Sequence, residues 1–211
     1  GLLRELEEYA NEHNVPIVHK EVSELLKVLL KIQKPKRILE VGCAIGYSSI
    51  LFASVLDEDV EIITVERNEK MIEKAKENIK LSGLEDRKVR FIVDDVVKFV
   101  EREIRRGNKY DAIIMDPPSY GRGPKGEVWQ IEEKLYGLVE LCTKVLSDEP
   151  LFFLINSYTT GLSPIILEHI LDATVAKKAK GGKIYGGEIG IPTSRDGKVL
   201  PCGIFGRWES K

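Results

Sequence analysis

Five short apolar runs recur along the chain, each followed by an amphipathic stretch, and this alternation leaves few folds open. The runs lie at residues 37–41, 61–65, 89–93, 110–115 and 151–155. They are near-continuous rather than alternating, the pattern of strands covered on both faces. Helical spacing appears between them at Val22, Leu25, Leu26, Leu29 and Leu30, and again at Met71, Ile72, Ala75 and Ile79. It returns at Val96, Val97, Val100 and Ile104, and at Ile131, Leu135, Leu138, Cys142 and Val145. Gly83 sits where a helix C-cap belongs, Asp95 can cap the helix after it, and Ser163-Pro164 is a helix start. Strands alternating with helices predict an α/β, Rossmann-like, doubly wound and mostly parallel sheet. In the tail, runs at 183–191 and 199–207 flank Ser194-Arg195-Asp196-Gly197, a strong hairpin signal. The hairpin should add antiparallel strands at one edge, giving seven strands in all.

A length of 211 residues predicts a single domain, with residues 1–34 a helical cap and 35–211 the core. The 32 basic and 34 acidic residues leave a net charge of -2, which excludes a constitutively basic nucleic-acid-coating protein. No apolar run approaches the ~20 residues of a membrane span. The three cysteines, Cys43, Cys142 and Cys202, have neither zinc-ligand spacing nor the even count of a disulfide framework. A cytoplasmic location is the expectation.

Sheets of this kind bind ligands at the carboxyl ends of their strands. The first run is followed by Glu40-Val41-Gly42-Cys43-Ala44-Ile45-Gly46-Tyr47-Ser48-Ser49. Its glycine spacing is G-x-x-x-G, whereas a dinucleotide pyrophosphate site wants G-x-G-x-x-G. An acid before the first glycine repels phosphate and suits a cationic or zwitterionic ligand. The second run ends in Glu66, able to accept both hydroxyls of a ribose, and the third in Asp94-Asp95, able to accept from an adenine amino group. A plain tight turn would also use the glycines, and Asp95 would also serve as a helix cap. In register, these residues suit an adenosine without phosphate and with a positive centre, a description that S-adenosylmethionine meets. Glu40, Gly42, Gly46, Ser48, Glu66, Asp95 and Asp116 are the candidate cofactor residues.

LEVGCAIGYSS and TVER resemble the cofactor motifs of class I S-adenosylmethionine-dependent methyltransferases. Residues from about 1 to 90, with EYANEHNVPIVHKEVSELL and PKRILEVGCAIGYSSI, resemble the caffeoyl-CoA and catechol O-methyltransferase-like family, especially its bacterial branch acting on 5-hydroxyuridine in tRNA. From about residue 91, VDDVVKFVEREIRRGNKYDAIIMDPPSYGRGPKGEVWQIEEKL, INSYTTGLSP and LPCGIFGRWE resemble bacterial ribosomal RNA methyltransferases. The change of likeness suggests a hybrid, natural or engineered, joined near residues 82–95. The third strand there is expected to be a central element of the sheet.

The fourth run ends in Asp116-Pro117-Pro118-Ser119-Tyr120, which resembles the motif of methyltransferases that act on planar bases. The prolines would hold an extended backbone with a free carbonyl. Asp116 and that carbonyl would accept from an amine or base edge, and Tyr120 would stack on a flipped base. Asp116, Pro117, Pro118 and Tyr120 are therefore the candidate catalytic residues. The O-methyltransferase likeness implies a divalent metal held by an acid after the fourth strand and Asp-Asn after the fifth. Here the fifth ends Ile155-Asn156, so no metal is expected. No cysteine follows the fifth strand, which disfavours covalent C5 methylation. Arg122 and Lys125 are candidates to hold a phosphate. Of His13, His19 and His169, His19 is the best placed for a catalytic part. The expectation is a methyltransferase acting on a base in RNA. The alternatives are a metal-dependent O-methyltransferase of a small molecule or tRNA, and a hybrid that binds cofactor without turnover. Monomer and homodimer both remain open.

Overall fold

The structure, a computed structural model, describes residues 2–12, 20–123, 126–193 and 196–211. His13, His19, Lys125 and the Ser194-Arg195 part of the turn signal lie outside the described residues. Two helices, α1 (Leu2–Glu12) and α2 (Lys20–Gln33), precede β1 (Arg37–Val41). Then follow α3 (Tyr47–Val55), β2 (Glu61–Glu66), α4 (Glu69–Leu81), β3 (Val89–Val93), α5 (Val96–Arg106) and β4 (Ala112–Met115). Two short strands, β5 (Tyr120–Arg122) and β6 (Val128–Gln130), lead into α6 (Ile131–Thr143) and β7 (Phe152–Ser157). The chain ends with α7 (Pro164–Leu171), a π turn (Asp172–Ala176), α8 (Lys177–Ala179), β8 (Lys183–Pro192) and β9 (Val199–Glu209).

The seven-stranded sheet has the order β3-β2-β1-β4-β7-β9-β8. The five strands from β3 to β7 are parallel, and β9 runs against both β7 and β8. β8 thus points the same way as the five, and its carboxyl end reaches the same edge of the sheet as theirs. Leu39, Ile63, Ile113 and Ile155 face one core under α5, α6 and α7, whereas Ile38, Ile62, Ile114 and Leu154 face the other, under α2 and α3. This double cover is why the runs read as near-continuous hydrophobics.

Four sequence expectations change. β3 is an edge strand, not a central one, and none of its five residues is buried. Early opening there would follow from its position alone and says nothing about a join. In α5 the inward residues are Phe99, Val100 and Glu103, whereas Val97 is 37% exposed. The segment after β4 is not simply a loop but carries the antiparallel β5–β6 pair. Ser163 occupies the N-cap position of α7 but makes no side-chain capping bond. Asp95 does cap α5, accepting from the backbone N–H of Val97 and Lys98.

Candidate functional site

The carboxyl ends of β1, β2, β4 and β7 meet at a cleft made of two adjoining cavities, of about 480 and 1230 Å³. Gly42, Glu66, Asn68, Asp116, Pro117 and Pro118 border both. Gly42 leaves β1 with φ +85°, and a Cβ there would stand 3.1 Å from the Asp116 carbonyl oxygen. A glycine is needed for the turn and for this close approach of β4. Gly46 has φ +84°, and a Cβ there would stand 2.8 Å from the Cβ of Ala75. It borders neither cavity and instead lets α3 start hard against α4.

Glu40 also stands outside the cleft. It is buried beneath the loop, accepting from the Ser48 hydroxyl and, at 2.5 Å, from the Ser49 hydroxyl. Burial pushes its pKa up, against the pull of those hydroxyls. Its place is that of a support for the start of α3, and Ser48 itself borders the smaller cavity. Glu66, at the end of β2, accepts from the backbone N–H of Asn68 at 2.9 Å and of Ala44 at 3.4 Å. Both bonds orient its carboxylate along the wall common to the two cavities. Asp94 is paired with Arg102, and Asp95 borders the larger cavity beside Val96 and Val97.

Asp116 borders both cavities, with Pro117 buried behind it and Pro118 exposed. Burial, and secondarily the nearby Glu40 charge, push its carboxyl up to about 7. The charged side chains around the smaller cavity, Glu66 and Asp116, are both acidic, so this end suits a cation. The larger cavity mixes Arg67, Lys98, Arg122 and Lys134 with acids.

Two expectations for the proline motif change. The Pro118 carbonyl accepts from the indole N–H of Trp129 at 2.6 Å, so it is not free. Tyr120 borders neither cavity; it is 51% exposed, and its hydroxyl accepts from Nε of Arg122. The aromatic rings at the smaller cavity belong to Tyr47 and Tyr158. Tyr47 donates to Glu7 at 2.6 Å and so ties α1 to the glycine loop. Asn68, Tyr47, Met71, Ser119, Trp129 and Tyr158 were not among the sequence candidates. Tyr158 was findable, since it follows a strand's carboxyl end.

Asp116 and Asn156 stand one residue beyond the paired Met115 and Ile155 on adjacent parallel strands. Asn156 is fully buried, borders neither cavity, and finds no hydrogen-bond partner among the described residues. Ile155 faces the opposite core. One carboxylate and an enclosed amide do not fit the oxygen-rich shell that a hard divalent cation takes.

The O-methyltransferase family profile matches residues 1–120 of this chain. An S-adenosylmethionine-dependent methyltransferase from Agrobacterium tumefaciens superposes with a TM-score of 0.80 at 33% identity, over 90% of this chain and 61% of that one. The O-methyltransferase from Bacillus cereus, solved with S-adenosylhomocysteine, has a TM-score of 0.67 at 18% identity and shares the fold over 99% of this chain and 90% of that one. Among curated relatives, ribosomal RNA large subunit methyltransferase I of Enterobacter sp. (strain 638) is 29% identical over 87 residues, 41% of this chain and 22% of that protein. A 23S rRNA (uracil(1939)-C(5))-methyltransferase of Acinetobacter baylyi is 29% identical over 104 residues, 49% of this chain and 22% of that protein. The chain thus spans less than a quarter of the length of these two relatives. The family match runs past β3, where the sequence likeness changes. Matched over more than half of its residues by that profile, the chain belongs to the O-methyltransferase family of class I S-adenosylmethionine-dependent methyltransferases.

Proposed function

We propose that the chain methylates a nitrogen or oxygen of a planar base in RNA, without a metal. The observation that carries this reading is Asp116-Pro117-Pro118 at the junction of the two cavities. The likeness to ribosomal RNA methyltransferases supports the choice of RNA. In this reading adenosine takes the larger cavity, with the ribose on Glu66 and the adenine between Asp95, Val96 and Pro117. The methionine end takes the smaller cavity, its carboxylate near the N-terminus of α3, where the helix dipole favours an anion. The sulfonium then lies beside Asp116, in the all-acidic part of the cleft. Residues 1–34 act as a cap over this end, through the Glu7–Tyr47 bond.

Methyl transfer breaks the sulfur–methyl bond, forms a bond from methyl to the acceptor, and leaves neutral S-adenosylhomocysteine. With a carboxyl up at about 7, Asp116 is poised to take the proton that the acceptor loses. Position, not a bound cation, supplies the rest.

Glu66→Ala is expected to weaken S-adenosylhomocysteine binding by ~2 kcal/mol, the loss of charge-assisted bonds to the ribose. Isothermal calorimetry reads this directly, and unchanged affinity would remove Glu66 from the cofactor site. Incubation with methyl-labelled cofactor and total bacterial RNA tests the acceptor. Label is expected in RNA, in equal amount with a chelator or with magnesium. A second reading, metal-dependent O-methylation of a small molecule or of tRNA, is favoured by the family match itself. Turnover that stops on chelation would put it in place of the first.

A further inference from the structure

We propose that Tyr158 is the platform on which a planar acceptor stacks, and that Gly203 sets the place of its ring. This rests on the cofactor placement given above. Tyr158 follows Ser157, the last residue of β7, and borders the smaller cavity together with Asp116, Pro117, Pro118 and Ser119. The proline wall and the tyrosine ring thus bound the space next to the reacting methyl group.

The ring is held from behind by an absent side chain. Ser157 pairs with Ile204 of β9, and Gly203 is the next residue along that strand. A Cβ on Gly203 would stand 2.7 Å from Cδ1 and 3.0 Å from Cε1 of Tyr158, and 2.9 Å from the Ser157 carbonyl oxygen. Gly203 is not in the left-handed region, so its backbone makes no demand for glycine. What the position requires is room, and the tyrosine ring takes it.

Hydroxyl groups fix the platform relative to Asp116. Ser119 and Thr159 share a hydrogen bond of 2.7 Å, and the Ser157 hydroxyl bonds Thr159 at 3.1 Å. The loop after the prolines is thereby fastened to the loop that carries Tyr158. No basic side chain borders this cavity among the described residues, and its wall includes Tyr47, Met71, Pro117 and Pro118. Such a wall recognises a flat ring by contact and stacking rather than an anion by charge. Tyr120, the aromatic nearest the prolines in sequence, has no access to this space.

The test uses a probe that carries its own ring, so it does not depend on knowing the acceptor. It is the aza analogue of S-adenosylhomocysteine, with nitrogen in place of sulfur and a benzyl group on that nitrogen. Calorimetry compares it with S-adenosylhomocysteine on the parent protein, Tyr158→Phe, Tyr158→Ala and Gly203→Ala, with melting temperatures measured alongside. The parent and Tyr158→Phe are expected to bind the benzyl probe more tightly than S-adenosylhomocysteine. Tyr158→Ala is expected to lose about tenfold of that gain, the size of one aromatic stack, while S-adenosylhomocysteine affinity stays within about twofold. Gly203→Ala should lose the gain as well, because its methyl displaces the ring. A parent protein without the gain, or Tyr158→Ala with the gain intact, would overturn the proposal. A parent protein that binds neither compound would overturn the cofactor placement and this proposal together. Benzyl selectivity lost in Tyr158→Ala, with no label entering RNA, would keep the platform and reject only RNA as the acceptor.

Discussion

Replacing Asp116 with asparagine is expected to weaken S-adenosylmethionine binding by about 3 kcal/mol while changing S-adenosylhomocysteine affinity by less than about 1 kcal/mol. The two compounds differ by a methyl group and a positive charge on sulfur. A unit charge about 4 Å from a carboxylate is worth roughly 4 kcal/mol at the effective dielectric of a protein site, and less after desolvation. The same substitution should stabilise the ligand-free fold. Burial and Glu40 hold the Asp116 carboxyl near 7, well above its ordinary 3.8. The folded state therefore binds this proton more tightly than the unfolded chain does, and stability falls as pH rises from about 4 to about 7. Above that range the ionised carboxyl costs the fold on the order of 4 kcal/mol, at 1.36 kcal/mol per pKa unit. Asp116→Asn removes the cost, so its melting temperature at pH 8 should exceed the parent's. In the parent, S-adenosylmethionine affinity should climb between pH 6 and 8 as the carboxylate forms, while S-adenosylhomocysteine affinity stays flat. Calorimetry at three pH values, with both compounds, decides the matter. Equal losses for the two compounds would mean that Asp116 does not face the sulfonium.

Gly46→Ala is expected to destabilise the protein by about 2–4 kcal/mol, with little direct effect on any ligand contact. The left-handed backbone at φ +84° costs a non-glycine residue about 1 kcal/mol. The new methyl would meet Ala75 at 2.8 Å from its Cβ and 3.0 Å from its Cα, so α3 and α4 must part. In a protein of this size the loss corresponds to a fall of about 5–15 °C in melting temperature by scanning calorimetry. Ala75→Gly in the same chain should recover the steric share and leave the backbone share. A melting temperature that does not move would show that the loop closes differently.

The elements that the sequence made legible are those whose reasons are local. β1 and β3 have the expected bounds, because Arg37–Val41 and Val89–Val93 are apolar runs ended by a turn signal and by acids. That β3 lies at the edge was not legible, since strand order depends on long-range pairing and not on the run itself. In α5, valines at 96 and 97 suggested an inner face around them, but Phe99 and Val100 fit the space over β2 and turn Val97 outward. β5 and β6 span three residues each, too few for any periodicity to show.

Within the cleft, the residues placed by β1, β2 and β4 were readable as strand ends: Gly42, Glu66, Asp116 and Pro117 all border it. Glu40 was misplaced because an acid ahead of a glycine loop reads the same whether it faces the ligand or the interior. The Ser48 and Ser49 hydroxyls that keep it buried come from the following helix. Tyr120 was chosen for its nearness to the prolines in sequence, but the β5–β6 pair carries it outward and brings Trp129 onto the Pro118 carbonyl. Tyr158 takes its place from another strand, an exchange that no local pattern records.

The central claim is where the cofactor lies, and a crystal structure with S-adenosylhomocysteine bound tests it most directly. The expected complex has both ribose hydroxyls within hydrogen-bond reach of Glu66, at about 2.7–3.2 Å. It has the adenine in the larger cavity beside Val96 and Asp95, and the sulfur next to Asp116 on the side facing Tyr158. An adenine lodged in the smaller cavity, or a ribose without contact to Glu66, would contradict the account.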